Sequence, residues 1–265
     1  MMKSIILFDM DGTITPPRKS IEIPMIQSLR NLTEVSRIGI VSGSDFDYIM
    51  QQCESLFDMG GIDLRDIDLL PCNGTKFYSW KTTEFKIYHE ENMMTFLKKD
   101  SQYQKLVRKI LTLQLEIING PLMFTQIAGT FIQYRGSILN WCPIGRDANN
   151  HIRADFIDLD KKEKIRENYR DKIEKFIDES NIPITTVIGG DTSIDIYPDG
   201  WDKTYALRHY PQHNVFFVGD RCNKGGNDYS LFEKLNSIGH AFKTSGPKET
   251  AKIIANNIIP QIQEV

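Results

Sequence analysis

A chain of 265 residues that is 40% hydrophobic and 25% charged can bury one large core or two of unequal size, and its net charge of -3 argues against a general nucleic-acid or anionic-membrane partner. No apolar run is long enough to cross a bilayer, and the N-terminal run, residues 5–8, is far too short for a signal peptide. Four scattered cysteines, Cys53, Cys72, Cys142 and Cys222, lack C-x-x-C spacing and read as free thiols of a reducing, cytoplasmic compartment.

Along the chain, strand-like runs at 5–8, 38–41 and 69–71 alternate with helical stretches at 23–32 and 45–57. That rhythm predicts an α/β fold with a parallel sheet and crossover helices. From about residue 83 to 187 the texture changes. Helix-period stretches at 92–113 and 160–180 are separated by β-alternating ones at 129–134 and 137–141. In the second of these helices Ile165, Tyr169, Ile173, Phe176 and Ile177 share one face, which is expected to pack on a sheet. Parallel-sheet texture then returns, with a strand at 215–218 and a last helix that Pro247 can start and that is expected to end near Pro260. The expectation is a Rossmann-like core made of residues 1–82 and 188–265, with an α+β unit, residues 83–187, inserted into it.

The stretch FDMDGTITPPR puts Asp9 and Asp11 directly after the first strand. In an open parallel sheet, ligands sit outside the carboxyl ends of the strands, so both carboxylates lie where chemistry is expected. A second acidic cluster, GDRCNKGGND, follows the strand at 215–218 and offers Asp220 and Asp228. Oxygen ligands without histidine or cysteine suit Mg²⁺, to which the backbone carbonyl of Asp11 could add another oxygen. A third strand end, IGIVSGSDF, supplies hydroxyls at Ser42 and Ser44, and PDGWDK supplies Lys203. Hydroxyl, lysine and metal together answer the spread negative charge of a phosphoryl group.

These four segments, in this order, resemble the haloacid dehalogenase superfamily. The resemblance implies that Asp9 is the nucleophile that becomes an aspartyl phosphate, that Asp11 is the general acid and base, and that a serine hydroxyl, Ser42 or Ser44, and Lys203 serve the reacting phosphoryl group. It sharpens over nearly the whole chain: FDMDGTITPPR, GTFIQYRGSILNWCPIGR, IDIYPDGWDKTYALRH and GDRCNKGGND are similar to the eukaryotic phosphomannomutases. That family implies an α+β cap gripping the far end of a hexose phosphate, with Arg18 in the core, Arg135, Arg146 and Arg153 in the cap, and Ser193 and Asp195 on the sugar. It further implies Mg²⁺ held at Asp9, Asp11, Asp220 and Asp228, activation by a hexose 1,6-bisphosphate, hexose phosphates as the small-molecule partners, and a homodimer through the caps. Several arginines in one unit agree in kind, because a guanidinium can hold phosphate with two parallel bonds. The chain departs from the pattern in VSGSDF for the usual VGGSDF, in Ala128 before GTF, in Asp191 within GGDTSID, and in Lys234 where an acidic residue would help hold a second metal.

Overall fold

The computed structural model describes residues 3–120 and 126–263 and divides into two compact units, residues 1–90 with 200–265, and residues 91–199. In the first unit seven strands run in the order β11-β10-β1-β2-β3-β4-β5. They are β1 Ser4–Phe8, β2 Arg37–Val41, β3 Ile67–Leu70, β4 Lys76–Lys81, β5 Glu84–Glu90, β10 Asn214–Gly219 and β11 Ala241–Lys243. The neighbours of β1, β2 and β10 are all parallel, whereas β3, β4 and β5 form an antiparallel edge.

Alternation along the strands gives the sheet two apolar faces. Ile6 and Phe8 of β1 join Ile38, Ile40, Phe216 and Val218 on one face, under the helix α1 (Ile23–Thr33), which contributes Met25, Leu29 and Leu32. Ile5 and Leu7 join Val41, Leu70, Val215 and Phe217 on the other, under Leu231 and Leu235 of the helix α8 (Tyr229–Asn236). A parallel sheet covered on both faces must be built from near-continuous apolar strands, as SIILF and NVFFVG are. Register then decides what lies side by side. Phe8 is level with Val218 on one flank and Ile40 on the other, so the residues just beyond β1, β10 and β2 emerge together.

Several elements differ from the sequence reading. The helix expected over 45–57 is two helices, α2 Phe46–Gln52 and α3 Glu54–Met59, broken at Cys53, whose ψ of 13 leaves the helical region. The last helix starts at Pro247 as expected, α9 Pro247–Ile253, but does not stop at Pro260. A π-helical turn, Ile254–Ile258, carries it into α10 Ile259–Gln263. The wider turn accommodates a proline that cannot donate into an α-helical ladder.

The second unit holds a four-stranded antiparallel sheet in the order β6-β7-β9-β8, with β6 Ile132–Tyr134, β7 Leu139–Trp141, β8 Ile184–Gly189 and β9 Ser193–Pro198. Its helices are α4 Met93–Phe96, α5 Gln102–Asn119, α6 Asn150–Glu163 and α7 Ile165–Ser180. The helix expected over 92–113 is split because Asp100 and Ser101 take left-handed conformations. That expected over 160–180 is split at Lys164, also left-handed at φ 54. Of the face expected on α7, Ile165, Tyr169, Ile173 and Ile177 are buried and Phe176 is half-buried, and Trp141 of β7 meets Tyr169 edge-on at 5.9 Å. The unit boundaries fall later than the expected 82/83 and 187/188. The β4–β5 hairpin extends the first sheet by pairing with β3, and β9 pairs with both β7 and β8 in the second. Ser193 and Asp195 therefore belong to the inserted unit.

Candidate active site

In the first unit, the loop after β1 is tied tightly to itself. The backbone N–H groups of Thr13, Ile14 and Thr15 all donate to the Met10 carbonyl, and Gly12 N donates to Thr15 O at 2.8 Å. This turn leaves Asp9 at the strand end, 5% exposed, with its N–H donating to Val218 O of β10 at 2.9 Å. Thr13 Oγ1 donates to Asp9 Oδ2 at 3.3 Å. The segment GDRCNKGGND loops out from β10 and returns at Asp228, which is wholly buried and accepts from Arg221 N at 2.9 Å. Lys203, at the start of the 3-10 segment Lys203–His209, is also wholly buried, and its Nζ donates to both Asp9 Oδ1 and Asp228 Oδ1.

Oxygens of Asp9, Asp220 and Asp228 lie within 4.8 Å of one another, the one such group of potential ligands among the described residues. Asp9 and Asp228 thus share a single buried ammonium, while Asp220 has the Arg221 guanidinium at 3.9 Å. Burial, then the charges of Asp228 and Asp220, push the Asp9 carboxyl well above the usual carboxylate range, against the pull of Lys203. Asp220 is pushed up to about 6 by burial and by Asp228. Burial alone would lower Lys203, but Asp228 and Asp9 outweigh it and hold the lysine above its ordinary value. A hard divalent cation fits this donor set, because it would supply the positive charge that one lysine cannot.

Around this cluster stand the other core residues expected from the sequence. The Asp11 carboxylate accepts from Arg18 N at 2.8 Å and from Tyr48 OH at 3.3 Å, so it is held apart from the three-carboxylate group. Arg18 is exposed and left-handed at φ 59. Ser42 is buried just beyond β2, and its Oγ accepts from Ser44 N at 3.1 Å. The Ser42 carbonyl accepts from Asn73 N at 2.8 Å, and the Asn73 amide donates to Trp201 O at 3.2 Å, two residues before Lys203.

In the second unit, β7, β9 and the turn after β7 gather a polar group. Asn140, 2% exposed between Leu139 and Trp141, accepts at Oδ1 from Arg146 Nη1 at 2.8 Å. Its Nδ2 donates to Ser193 Oγ at 2.9 Å and to Asp195 Oδ1 at 2.6 Å. Arg135 donates through Nε and Nη2 to Gln133 Oε1, both at 3.1 Å. Arg153 lies half-buried in the first turns of α6. Arg166 clamps the β8–β9 turn: it pairs with Asp160 at 2.8 Å and donates from Nη1 to the carbonyls of Gly189, Gly190 and Ser193.

Of the residues expected in the second unit, Arg146, Ser193 and Asp195 are joined through Asn140, which the sequence reading missed, whereas Arg135 bonds to Gln133 and Arg153 stands on α6. Thr13, Tyr48 and Asn73 were missed in the first unit. The available signals were slight: the threonine of DGT, the N-G pair of PCNGT, and a lone polar residue inside the apolar run of β7. Lys234, the departure noted above, is exposed on α8.

The family model "Eukaryotic phosphomannomutase" matches residues 25–260. A phosphomannomutase of Schizosaccharomyces pombe is 36% identical over 252 residues, covering 94% of this chain and 91% of that protein. One of Encephalitozoon cuniculi is 34% identical over 255 residues, with the same coverage of 94% and 91%. Among solved structures, Plasmodium falciparum IMP-nucleotidase aligns with a TM-score of 0.65 at 17% identity, covering 98% of this chain and 64% of that one. The C-terminal domain of a Candida albicans trehalose-6-phosphate phosphatase aligns with a TM-score of 0.59 at 16% identity, covering 100% and 94%. At those identities the structural matches speak to the fold alone.

Proposed function

Because the chain belongs to the eukaryotic phosphomannomutase family, we propose that it interconverts mannose 6-phosphate and mannose 1-phosphate through an aspartyl phosphate on Asp9 and a hexose 1,6-bisphosphate, so feeding GDP-mannose synthesis. The observation that carries the chemistry is the group of Asp9 and Asp220, at the ends of the adjacent strands β1 and β10, with the buried Asp228 and Lys203.

Asp9 is the nucleophile. Its carboxylate attacks the phosphorus of the bisphosphate, the bond to the sugar oxygen breaks, and the phosphoryl group passes to Asp9. Asp11, held by Arg18 N and Tyr48 OH, gives a proton to the departing sugar oxygen and takes one back from the hydroxyl that later attacks the aspartyl phosphate. Lys203 holds Asp9 in place against its burial and balances charge as the phosphoryl group transfers. Ser42 offers a hydroxyl to the phosphoryl oxygens. Mg²⁺, bound at Asp9, Asp220 and Asp228 with the Asp11 backbone carbonyl, would supply the charge that keeps Asp9 ionised beside an incoming phosphate.

Arg135, Arg146 and Arg153 of the second unit take the phosphate that is not reacting, with Ser193 and Asp195 on the sugar hydroxyls, and Arg18 of the first unit assists in binding. The bisphosphate is then both intermediate and activator, since turning it end for end exchanges C1 and C6. A homodimer through the second unit belongs to the same reading. It is supported by Leu111, Leu115 and Ile118, which make an exposed apolar stripe on α5. A cytoplasmic location is supported by four buried cysteines that remain free thiols.

The deciding experiment supplies mannose 1-phosphate with a trace of hexose bisphosphate and follows mannose 6-phosphate and free phosphate together. Mannose 6-phosphate should accumulate with little free phosphate. Free phosphate as the main product would make the chain a sugar-phosphate phosphatase.

A further inference from the structure

The polar group on β7 and β9 has a direction to it. Asn140 has two amide hydrogens, and both are engaged, one on Ser193 Oγ and one on Asp195 Oδ1. The Ser193 hydroxyl in turn donates its single hydrogen to the Gly189 carbonyl at 2.9 Å. With that hydrogen engaged, Ser193 Oγ can offer a further partner only a lone pair, and a carboxylate offers nothing else. On the opposite side of the same amide, Oδ1 accepts from Arg146, a residue with only donors to present. One buried side chain therefore sorts its surroundings into an accepting side, Ser193 and Asp195, and a donating side, Arg146.

Packing reinforces the arrangement. A Cβ built on Gly189 would fall 2.4 Å from Asp195 Oδ2, so the Asp195 carboxylate lies flat against a backbone that only glycine leaves open. Arg166 pins the carbonyls of Gly189, Gly190 and Ser193 from one guanidinium nitrogen, which fixes the turn that carries Ser193.

We infer that Asn140 is a positioning residue that sets the hydrogen-bond polarity of the sugar site: Ser193 and Asp195 accept from hydroxyl hydrogens of the hexose, while Arg146 is steered toward its phosphate. This rests on the hexose-phosphate reading of the second unit and adds to it the sense of each bond. It also says that Asn140 itself reaches no substrate through its amide hydrogens, because both are already engaged.

The first test uses the wild-type protein and measures the Kd of mannose 6-phosphate and of its analogues with fluorine replacing the hydroxyl at C2, C3 or C4. Fluorine keeps the size but cannot donate. At least one analogue should bind on the order of tenfold weaker, the loss of a hydrogen bond to a charged or buried acceptor. If all three bind within about twofold of the parent, the inference is overturned.

The second test compares Asn140→Ala, Arg146→Ala and the double variant by Kd for mannose 6-phosphate and by kcat and KM for mannose 1-phosphate. If Asn140 works through Arg146, the double variant loses less than the product of the two single losses. A loss equal to the product, or an Asn140→Ala protein that binds as the wild type does, overturns it. The isosteric Asn140→Asp, which removes both donors and faces Asp195 with a second carboxylate, should raise KM more than it lowers kcat. Wild-type protein that isomerises mannose 1-phosphate but tolerates all three fluorines would sink the role of Asn140 and leave the mutase standing. Protein that discriminates among the fluorinated sugars without isomerising would do the reverse.

Discussion

Gly12 and Asp220 are packed so closely that a Cβ on the glycine would fall 2.4 Å from Asp220 Oδ2. Gly12 also sits at φ +83, where an L side chain is strained whatever the space. Gly12→Ala should therefore cost about 1 kcal/mol or more of stability from the backbone. It should also lower turnover on the order of a hundredfold by displacing Asp220. Thermal melting and steady-state kinetics on the same preparation check both, and a variant with normal kinetics would show that Asp220 need not lie against the glycine.

Asp9→Asn should abolish turnover, because the amide cannot act as an anionic nucleophile. Yet the metal-free variant should melt no lower than the wild type. Burial together with Asp228 and Asp220 raises the Asp9 carboxyl, so its ionised form opposes folding at neutral pH and its removal relieves the repulsion. Loss of several degrees in Tm would mean that the bond to Lys203 outweighs the crowding.

Mg²⁺ should stabilise the folded protein by binding oxygens that the unfolded chain does not gather. One site saturated to a hundred times its Kd gives about 2.7 kcal/mol. A melting curve with and without millimolar Mg²⁺, repeated for Asp220→Asn, reads this without any substrate. The shift should be clear in the wild type and largely gone in the variant. An equal shift in both would move the metal away from Asp220.

Acid should weaken the fold through His209. Its Nε2 lies 2.7 Å from the Gly74 carbonyl, and burial holds the imidazole below its ordinary value of 6.5. A histidine depressed in the folded state takes up a proton in the unfolded chain first. Its contribution is therefore complete above the unfolded value and is lost as pH falls from there toward the folded one, at up to about 1.4 kcal/mol per pH unit. Urea melts at pH 7 and pH 5.5 should show a smaller acid penalty for His209→Gln than for the wild type. An identical penalty would place the acid sensitivity elsewhere.

The part of the candidate site that lies in the first unit was legible because a parallel sheet announces where its strands end. SIILF, RIGIV and NVFFVG are apolar runs that stop at Asp9, Ser42 and Asp220, and register does the rest. The strand β9 was harder, because SIDIYP carries the same apolar alternation whether it pairs in one sheet or the other; only its partners, β7 and β8, decide. Lys164 and Ser101 break helices in left-handed conformations without a glycine or proline to mark them, so local chemistry gives no warning. Asn140 escaped notice because a buried asparagine has meaning only through what meets it, and Ser193 and Asp195 lie more than fifty residues away along the chain.

The strand order places β1, the first strand made, between β2 and β10, the latter beginning only at Asn214. On a ribosome adding residues at ordinary rates, roughly 10 to 40 s separate the emergence of the two. For that interval SIILF has one unpaired edge, an apolar strand template open to any passing chain. Lys203 also arrives late, 194 residues after Asp9, and Asp228 another 25 residues later. A nascent chain halted within the second unit thus carries Asp9 but neither Lys203 nor the strand β10 that completes the pairing of β1.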